Sequence, residues 1–397
     1  MYWIGHLISF AGSQMQLWAM YWHLRTLSDQ PMVISVVGLV RFLPIIILSL
    51  IAGVAADRFD RRRMTMLTQL ALGLVALVLG LKTSLGTMTL WILFGLVAVQ
   101  SIATAFDVPA RQALIPSLVP REDLASAYSL TSIAGKVGGI LGPGISGIVI
   151  AFWGLQWAYW INAISYLAVI VALMSMGDIQ SVLEKKSFSI RKAFVDIREG
   201  IEFIKNSPVI FSAMILDFFG SFFSSADTLL PFVAIDILHV GSIQYGWLSA
   251  SQSIGTLIIG VYLSQKTNLR RQGLLISVSV AVFGLATILF GASTLFWLTL
   301  LALILIGASD GLSTIIRNTV RQLLTPDAMR GRMMSITQIF FKGGPQLGEM
   351  EAGFVAQWLG IPFAIISGGV GCMLAAFLVV KKFPQLWSFN GDEAYVG

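Results

Sequence analysis

Seven ionisable side chains stand inside stretches that are otherwise apolar: Arg41, Lys136, Asp217, Asp227, Asp310, Lys342 and Glu349. A charge at the centre of a bilayer costs on the order of 3 kcal/mol or more unless it is paired or wetted, so each is a candidate for binding a charged solute or carrying a proton. Asp217 heads a polar stripe with Ser221, Ser224 and Thr228, spaced to share one helical face. It is the first choice for a carboxylate that gains and loses a proton, because apolar surroundings disfavour its charged form, and Asp227 is the second. A structural salt bridge is the alternative for both. Arg41, three residues before Pro44, is suited to attracting an anion or to neutralising an aspartate. Lys342, Gln346 and Glu349 share a face, and Lys136 lies at the depth equivalent to Lys342; such lysines bind acidic groups, act as a gate, or snorkel and pair locally. His6, Gln14 and Gln16 are further polar candidates near the start of the chain.

The elements that must position these groups are membrane helices. Of the 397 residues, 56% are hydrophobic and only 12% charged, about half the charged share of a soluble protein. Runs of roughly twenty apolar residues place twelve spans near 2–24, 32–56, 64–82, 88–108, 125–150, 154–177, 208–235, 241–264, 272–292, 294–314, 331–356 and 360–382. The expected class is all-α and integral to the membrane, as two pseudo-symmetric bundles of six. The expected organisation is a first bundle over 1–177, an amphipathic linker over 178–207 and a second bundle with a short tail over 208–397.

An internal repeat supports that division. Arg111–Gly147 aligns without a gap on Arg317–Gly353, pairing Lys136 with Lys342, Gly138 with Gly344, Gly142 with Gly348 and Gly147 with Gly353. Two copies of one membrane unit predict a transporter that moves one half against the other around a central site.

Orientation follows from the basic residues. Of 26 Lys and Arg, Arg25 and Lys82 fall on one side, Arg41, Lys136 and Lys342 fall inside spans, and the rest crowd the alternate loops. The positive-inside rule then predicts a multi-pass protein of the cytoplasmic membrane with both termini in the cytoplasm. The net charge of +6 is this loop bias, which suits contact with anionic lipid headgroups; nucleic acid would need a soluble basic domain. The linker carries Phe194, Ile197, Ile201 and Ile204 at helical spacing and reads as a tether lying at the cytoplasmic surface. The chain opens almost inside its first span, at "MYWIGHLISF", which leaves room for residues before Met1.

Two stretches carry motifs. Between the second and third spans, "GVAADRFDRRR" sets Gly53 four residues before Asp57, with Arg58, Arg61, Arg62 and Arg63 following. The glycine permits close helix approach, the aspartate places a charge at the membrane edge, and the arginines suit carboxylates or helix C-termini. In the fifth span, "GGILGPGISG" provides Gly138, Gly142, Pro143 and Gly147: small residues that flatten a face, and a proline that frees a carbonyl and kinks the helix. Asp107 and Arg111, one turn apart, are spaced to pair at the cytoplasmic end of the fourth span, and the second copy offers Asp310 and Arg317.

The first segment resembles the loop signature of the major facilitator superfamily, with Asp60 where many members have glycine. With "LVRFLP" at 39–44 and "ARQALIPSLVPREDLASA" at 110–127, the chain is similar to a subgroup of bacterial exporters of siderophores and macrolides. The resemblance implies that Gly53, Asp57, Arg58, Arg61 and Arg62, with Asp107, Arg111 and Arg317, form a cytoplasmic gate that opens and closes during transport. The glycine–proline spacing in the fifth span is similar to the superfamily's antiporter signature and implies export driven by an ion gradient. The fourth span lacks the arginine that many proton-coupled members carry there. The second copy also has no counterpart of Asp57, so the gate would be asymmetric.

Other classes fit poorly. No Gly-x-x-x-x-Gly-Lys-Ser/Thr segment is present, so an ion gradient rather than bound ATP must supply the energy, and no cofactor is implied. Three scattered histidines and one cysteine, Cys372, spell neither a metal site nor a hydrolytic centre, so the chain is not expected to be an enzyme. The expectation is a monomeric secondary transporter that exports a small organic compound, siderophore or drug-like, with protons as the coupling ion. An importer or facilitator, or a non-transporting scaffold or sensor, is the alternative.

Overall fold

The computed structural model describes residues 2–176, 190–266, 269–326 and 329–390. Its long helices are α1 (Tyr2–Leu27), α2 (Met32–Arg58), α3 (Arg61–Ser84), α4 (Leu90–Leu114), α5 (Leu124–Phe152), α6 (Leu155–Met174), α7 (Ile190–Lys205), α8 (Pro208–Ser224), α9 (Ser242–Ser264), α10 (Gln272–Ala292), α11 (Phe296–Leu324), α12 (Arg330–Leu359) and α13 (Ile361–Lys382). Apart from α7, each answers one of the twelve expected spans. Among the described residues, eight helical stretches are long and apolar enough to cross a membrane. In lipid a backbone must satisfy its own hydrogen bonds, which is why so apolar a chain resolves into helices.

The chain forms two compact units, one of residues 1–187 and 234–250, the other of 188–233 and 251–397. In the first, α1 packs on α5 and α6, α2 on α4, and α3 on α4 and α6. In the second, α8 packs on α12 and α10 on α13, while Thr256 of α9 donates to the Gly307 carbonyl of α11 at 2.9 Å. Pairings α1–α5, α2–α4 and α3–α6 thus reappear as α8–α12, α9–α11 and α10–α13, the structural form of the repeat.

Glycines set the tightest of these contacts. A Cβ at Gly138 would lie 2.6 Å from the Phe10 ring, and one at Gly142 would lie 2.7 Å from the Ala11 carbonyl oxygen, so α1 and α5 approach backbone to backbone. Gly344 and Gly348, their repeat partners on α12, meet Ser221 and Phe222 of α8 in the same way. Gly147 faces Gly246 at the start of α9.

Two expectations change. The seventh span, expected as a helix over 208–235, is α-helical only to Ser224 and continues as a tighter turn over Ser225–Leu229 and a wider one over Val233–Ile237. Pro231 has no N–H to offer the Asp227 carbonyl, while Ser225 and Thr228 turn their hydroxyls back to the Ser221 and Ser225 carbonyls. Second, Arg111 and Arg317, assigned to loops, lie on α4 and α11, which run on to Leu114 and Leu324; carboxylate partners let them remain inside. The helical part of the linker is α7, whose Ile204 packs on Ile210, Met214 and Met333 while Arg198, Glu199, Ile201, Glu202 and Lys205 stay exposed. Residues 178–189 of the linker lie outside the described residues.

Candidate functional site

The first unit encloses a cavity of about 260 Å³ between α1, α2, α3, α4 and α6. Its polar wall is Gln14 and Gln16 of α1, Arg41 of α2, Gln69 of α3, and Gln100, Asp107 and Arg111 of α4. Side chains four or seven apart on α4 share a face, so Gln100, Thr104, Asp107 and Arg111 all reach the same space. The volume sits at the lower edge of the roughly 300–1,000 Å³ typical of small-molecule sites, enough for a small solute or one group of a larger one.

Hydrogen bonds fix this wall. The Asp107 side chain is 1% exposed. Its Oδ1 accepts from Thr68 Oγ1 and Gln69 Nε2, both at 2.8 Å, and its Oδ2 pairs with Arg111 Nε at 2.7 Å. Both oxygens are therefore engaged by donors from α3 and α4, which offsets the desolvation that would otherwise make a buried carboxylate costly. Farther along, Asn162 donates to Gln16 at 2.7 Å and Gln16 donates to Gln100 at 3.0 Å, an amide chain crossing from α6 through α1 to α4. Arg41 donates to the Tyr21 hydroxyl at 2.6 Å. Arg111 also reaches α1, where Nη1 lies 3.1 Å from His6 Nδ1.

The second unit has its own buried charges. Arg317 of α11 is 3% exposed and binds Asp217 of α8 at 2.7 Å. Arg321, one turn on, approaches the other Asp217 oxygen at 3.7 Å. Asp310 is 3.9 Å from Arg317 but more than half exposed, so solvent screens it and Asp217 is the dominant partner. Asp217, expected to exchange a proton, is thus held between two arginines. Asp227 is half-buried in the Ser225–Leu229 turn, and Glu349 is buried on α12. Lys136 is exposed on α5 and does not line the cavity of its unit.

Around the expected gate, Arg61 donates to the Ala113 carbonyl at 3.0 Å and Arg62 to the Met174 carbonyl at 3.4 Å, so these cations serve the C-terminal ends of α4 and α6. Asp60 caps α3 by accepting from the Arg63 backbone N–H at 2.9 Å. The side chains of Gly53, Asp57, Arg58 and Lys342 lie outside the described residues. Gly138 and Gly142 seat α5 on α1, with Pro143 inside the helix beside them, and Gly147 seats it on the start of α9.

Sequence reasoning missed Arg321, Gln69, Gln100 and Asn162. A polar residue amid an apolar span was the available signal for the two glutamines and the asparagine. Arg321 carried no such signal, since α11 was expected to end before it.

The transmembrane secretion effector family model of the major facilitator superfamily matches residues 1–392. Among curated proteins, the chain is 25% identical over 342 residues to an enterobactin exporter of Citrobacter koseri, covering 86% of this chain and 81% of that one. It is 24% identical over 341 residues to an enterobactin exporter of Escherichia coli O81, with the same coverage. Solved structures share the fold: a bacterial homologue of the human lysosomal transporter Spinster, inward-facing and occupied, has a TM-score of 0.74 at 14% identity over 97% of both chains. The nucleoside transporter NupG gives 0.71 at 15% identity, over 96% of this chain and 98% of its own. The D-xylose–proton symporter gives 0.70 at 13%, over 98% and 96%. With its all-helical fold and a family match spanning nearly its whole length, the chain is a multi-pass membrane transporter, not an enzyme, and belongs to the transmembrane secretion effector family of the major facilitator superfamily.

Proposed function

We propose that this chain is a secondary active exporter, moving a small organic compound of siderophore or drug-like type out of the cytoplasm by alternating access, in exchange for protons. The observation that carries the reading is the amide-lined cavity of the first unit, whose wall includes the Asp107–Arg111 pair, in a chain of the secretion effector family. Amides hydrogen-bond to hydroxyl, carbonyl and phenolic groups of either polarity without fixing a charge on the solute. The chain spans the cytoplasmic membrane with both ends inside, the orientation favoured by its loop cations. It works as a monomer with lipid around it, and the glycine–proline stretch of α5 supports exchange rather than uptake.

One proton entering down a potential of 100 mV releases about 2.3 kcal/mol. Since about 1.4 kcal/mol is a factor of ten, that sustains an outward gradient of several tens-fold.

The test uses inside-out vesicles from cells expressing the chain, given a catecholate siderophore or a macrolide. Energised vesicles should accumulate one of them, lose it on adding a protonophore, and fail to accumulate it with Gln100→Leu. Accumulation that survives the protonophore, or uptake of neither compound, refutes the proposal. Uptake only by right-side-out vesicles would make the chain an importer.

A further inference from the structure

The two units start their third helices differently. In the first, the Asp60 side chain accepts from the Arg63 backbone N–H and caps α3. In the second, the counterpart α10 is preceded by Arg271, held in the left-handed region at φ 57° with no side-chain hydrogen bond to the helix. A guanidinium only donates, so it cannot serve the N–H groups of a first helical turn. The acceptor comes instead from the other end of the chain: the Gly273 N–H donates to the Phe389 carbonyl at 3.0 Å.

Phe389 closes a short segment that follows α13. Phe383 leads into one turn of helix, α14 (Pro384–Ser388), which packs on α8, α10 and α13. Leu386 is fully buried and Phe389 is 5% exposed, three residues apart and so on one side, whereas Gln385, Trp387 and Ser388 stay exposed. The two buried side chains share an apolar cluster with Leu216 of α8, Ile276 of α10, Ile316 of α11 and Val379 of α13. Phe383 adds an edge-on contact with the Phe211 ring of α8, at 5.7 Å between centroids. Gly273 is the seat of the segment. A Cβ there would collide with the Leu386 carbonyl, so the backbone of α14 rests directly on α10.

We propose that residues 383–390 are a strap: they cap α10 from outside it and fasten the starts of α8 and α10 to the end of α13, so that these helix ends open together and only when the strap lifts. Leu216 and Ile316 stand next in the chain to Asp217 and Arg317, so the apolar layer that the strap completes also flanks the buried ion pair of this unit. The first unit, with an aspartate at the start of α3, has its cap built in. The strap acts within the second unit alone, whatever solute the chain carries.

The test is hydrogen exchange read by mass spectrometry, with fragmentation to single residues, on the full chain in lipid nanodiscs. In the wild type the Gly273 amide, which a first-turn position would otherwise leave unbonded, should exchange at least about tenfold more slowly than amides of open loops. Leu386→Ser should speed exchange at 273–276 of α10 and 211–215 of α8 together, by about tenfold to a hundredfold, the loss expected from one buried leucine. The start of α3 should stay unchanged. Gly273→Ala should speed the same two segments by displacing the Leu386 carbonyl; alanine favours a helix over glycine, so a faster first turn there singles out the strap. A wild-type Gly273 amide faster than that limit overturns the proposal even if neither variant folds. So does either variant leaving both segments unchanged, a rise confined to α10, or an equal rise at α3, which would mean general unfolding.

Discussion

Asp217→Asn should be the most damaging single change among the buried charges. Arg317 is 3% exposed, so removing its carboxylate leaves a guanidinium with neither water nor a near anion; Asp310, at 3.9 Å and largely exposed, is a poor substitute. Breaking a buried pair from one side costs about 3–5 kcal/mol. At roughly 2–4 °C per kcal/mol for a unit of about 200 residues, thermal stability should fall by on the order of 10 °C. Asp107→Asn should cost less, because Arg111 is 21% exposed at a cavity wall and keeps its His6 contact. Adding Arg317→Gln to Asp217→Asn should recover most of the loss, since the penalty lies in the stranded charge rather than in the missing attraction. The assay is the midpoint of heat-induced loss of the monodisperse peak of detergent-solubilised protein in size-exclusion chromatography. If Asp217→Asn melts with the wild type, or the double variant melts no higher than the single, the buried-pair argument is wrong.

Gly142→Val should abolish properly folded protein, because its Cβ would fall 2.7 Å from the Ala11 carbonyl oxygen, whereas Gly144→Ala, with nothing within 4 Å, should be neutral or slightly stabilising; membrane-inserted yield reads both. Asn162→Leu removes a donor from the buried Gln16 and should destabilise by about 1–2 kcal/mol, with a weaker hold on any solute in the cavity, measured as a raised half-saturating concentration in the vesicle assay. Arg25 binds Asp236 through two contacts, at 2.5 and 3.0 Å, on a partly exposed surface, so a double-mutant cycle of Arg25→Gln and Asp236→Asn should give a coupling of about 1 kcal/mol that shrinks in high salt.

The sequence by itself determined the class, the helix count and the repeat, because apolar runs of span length and glycines at fixed spacing are local signals that lipid enforces. It also marked Asp217 as a buried-charge candidate, from the plain cost of a charge in an apolar stretch, while it placed Arg111 and Arg317 among the loop cations at the cytoplasmic ends of their helices. What it left open was pairing. Whether Arg317 would meet Asp310 on its own helix or Asp217 on another, and that Arg321 would join it, depended on which faces α8 and α11 turn to each other. The contact of His6 with Arg111 was likewise invisible, since residues 6 and 111 meet only after α1 and α4 pack. A side chain's partner is fixed by interhelical packing, which no single helix's periodicity encodes, and so tertiary structure alone decided which charges are paired with which.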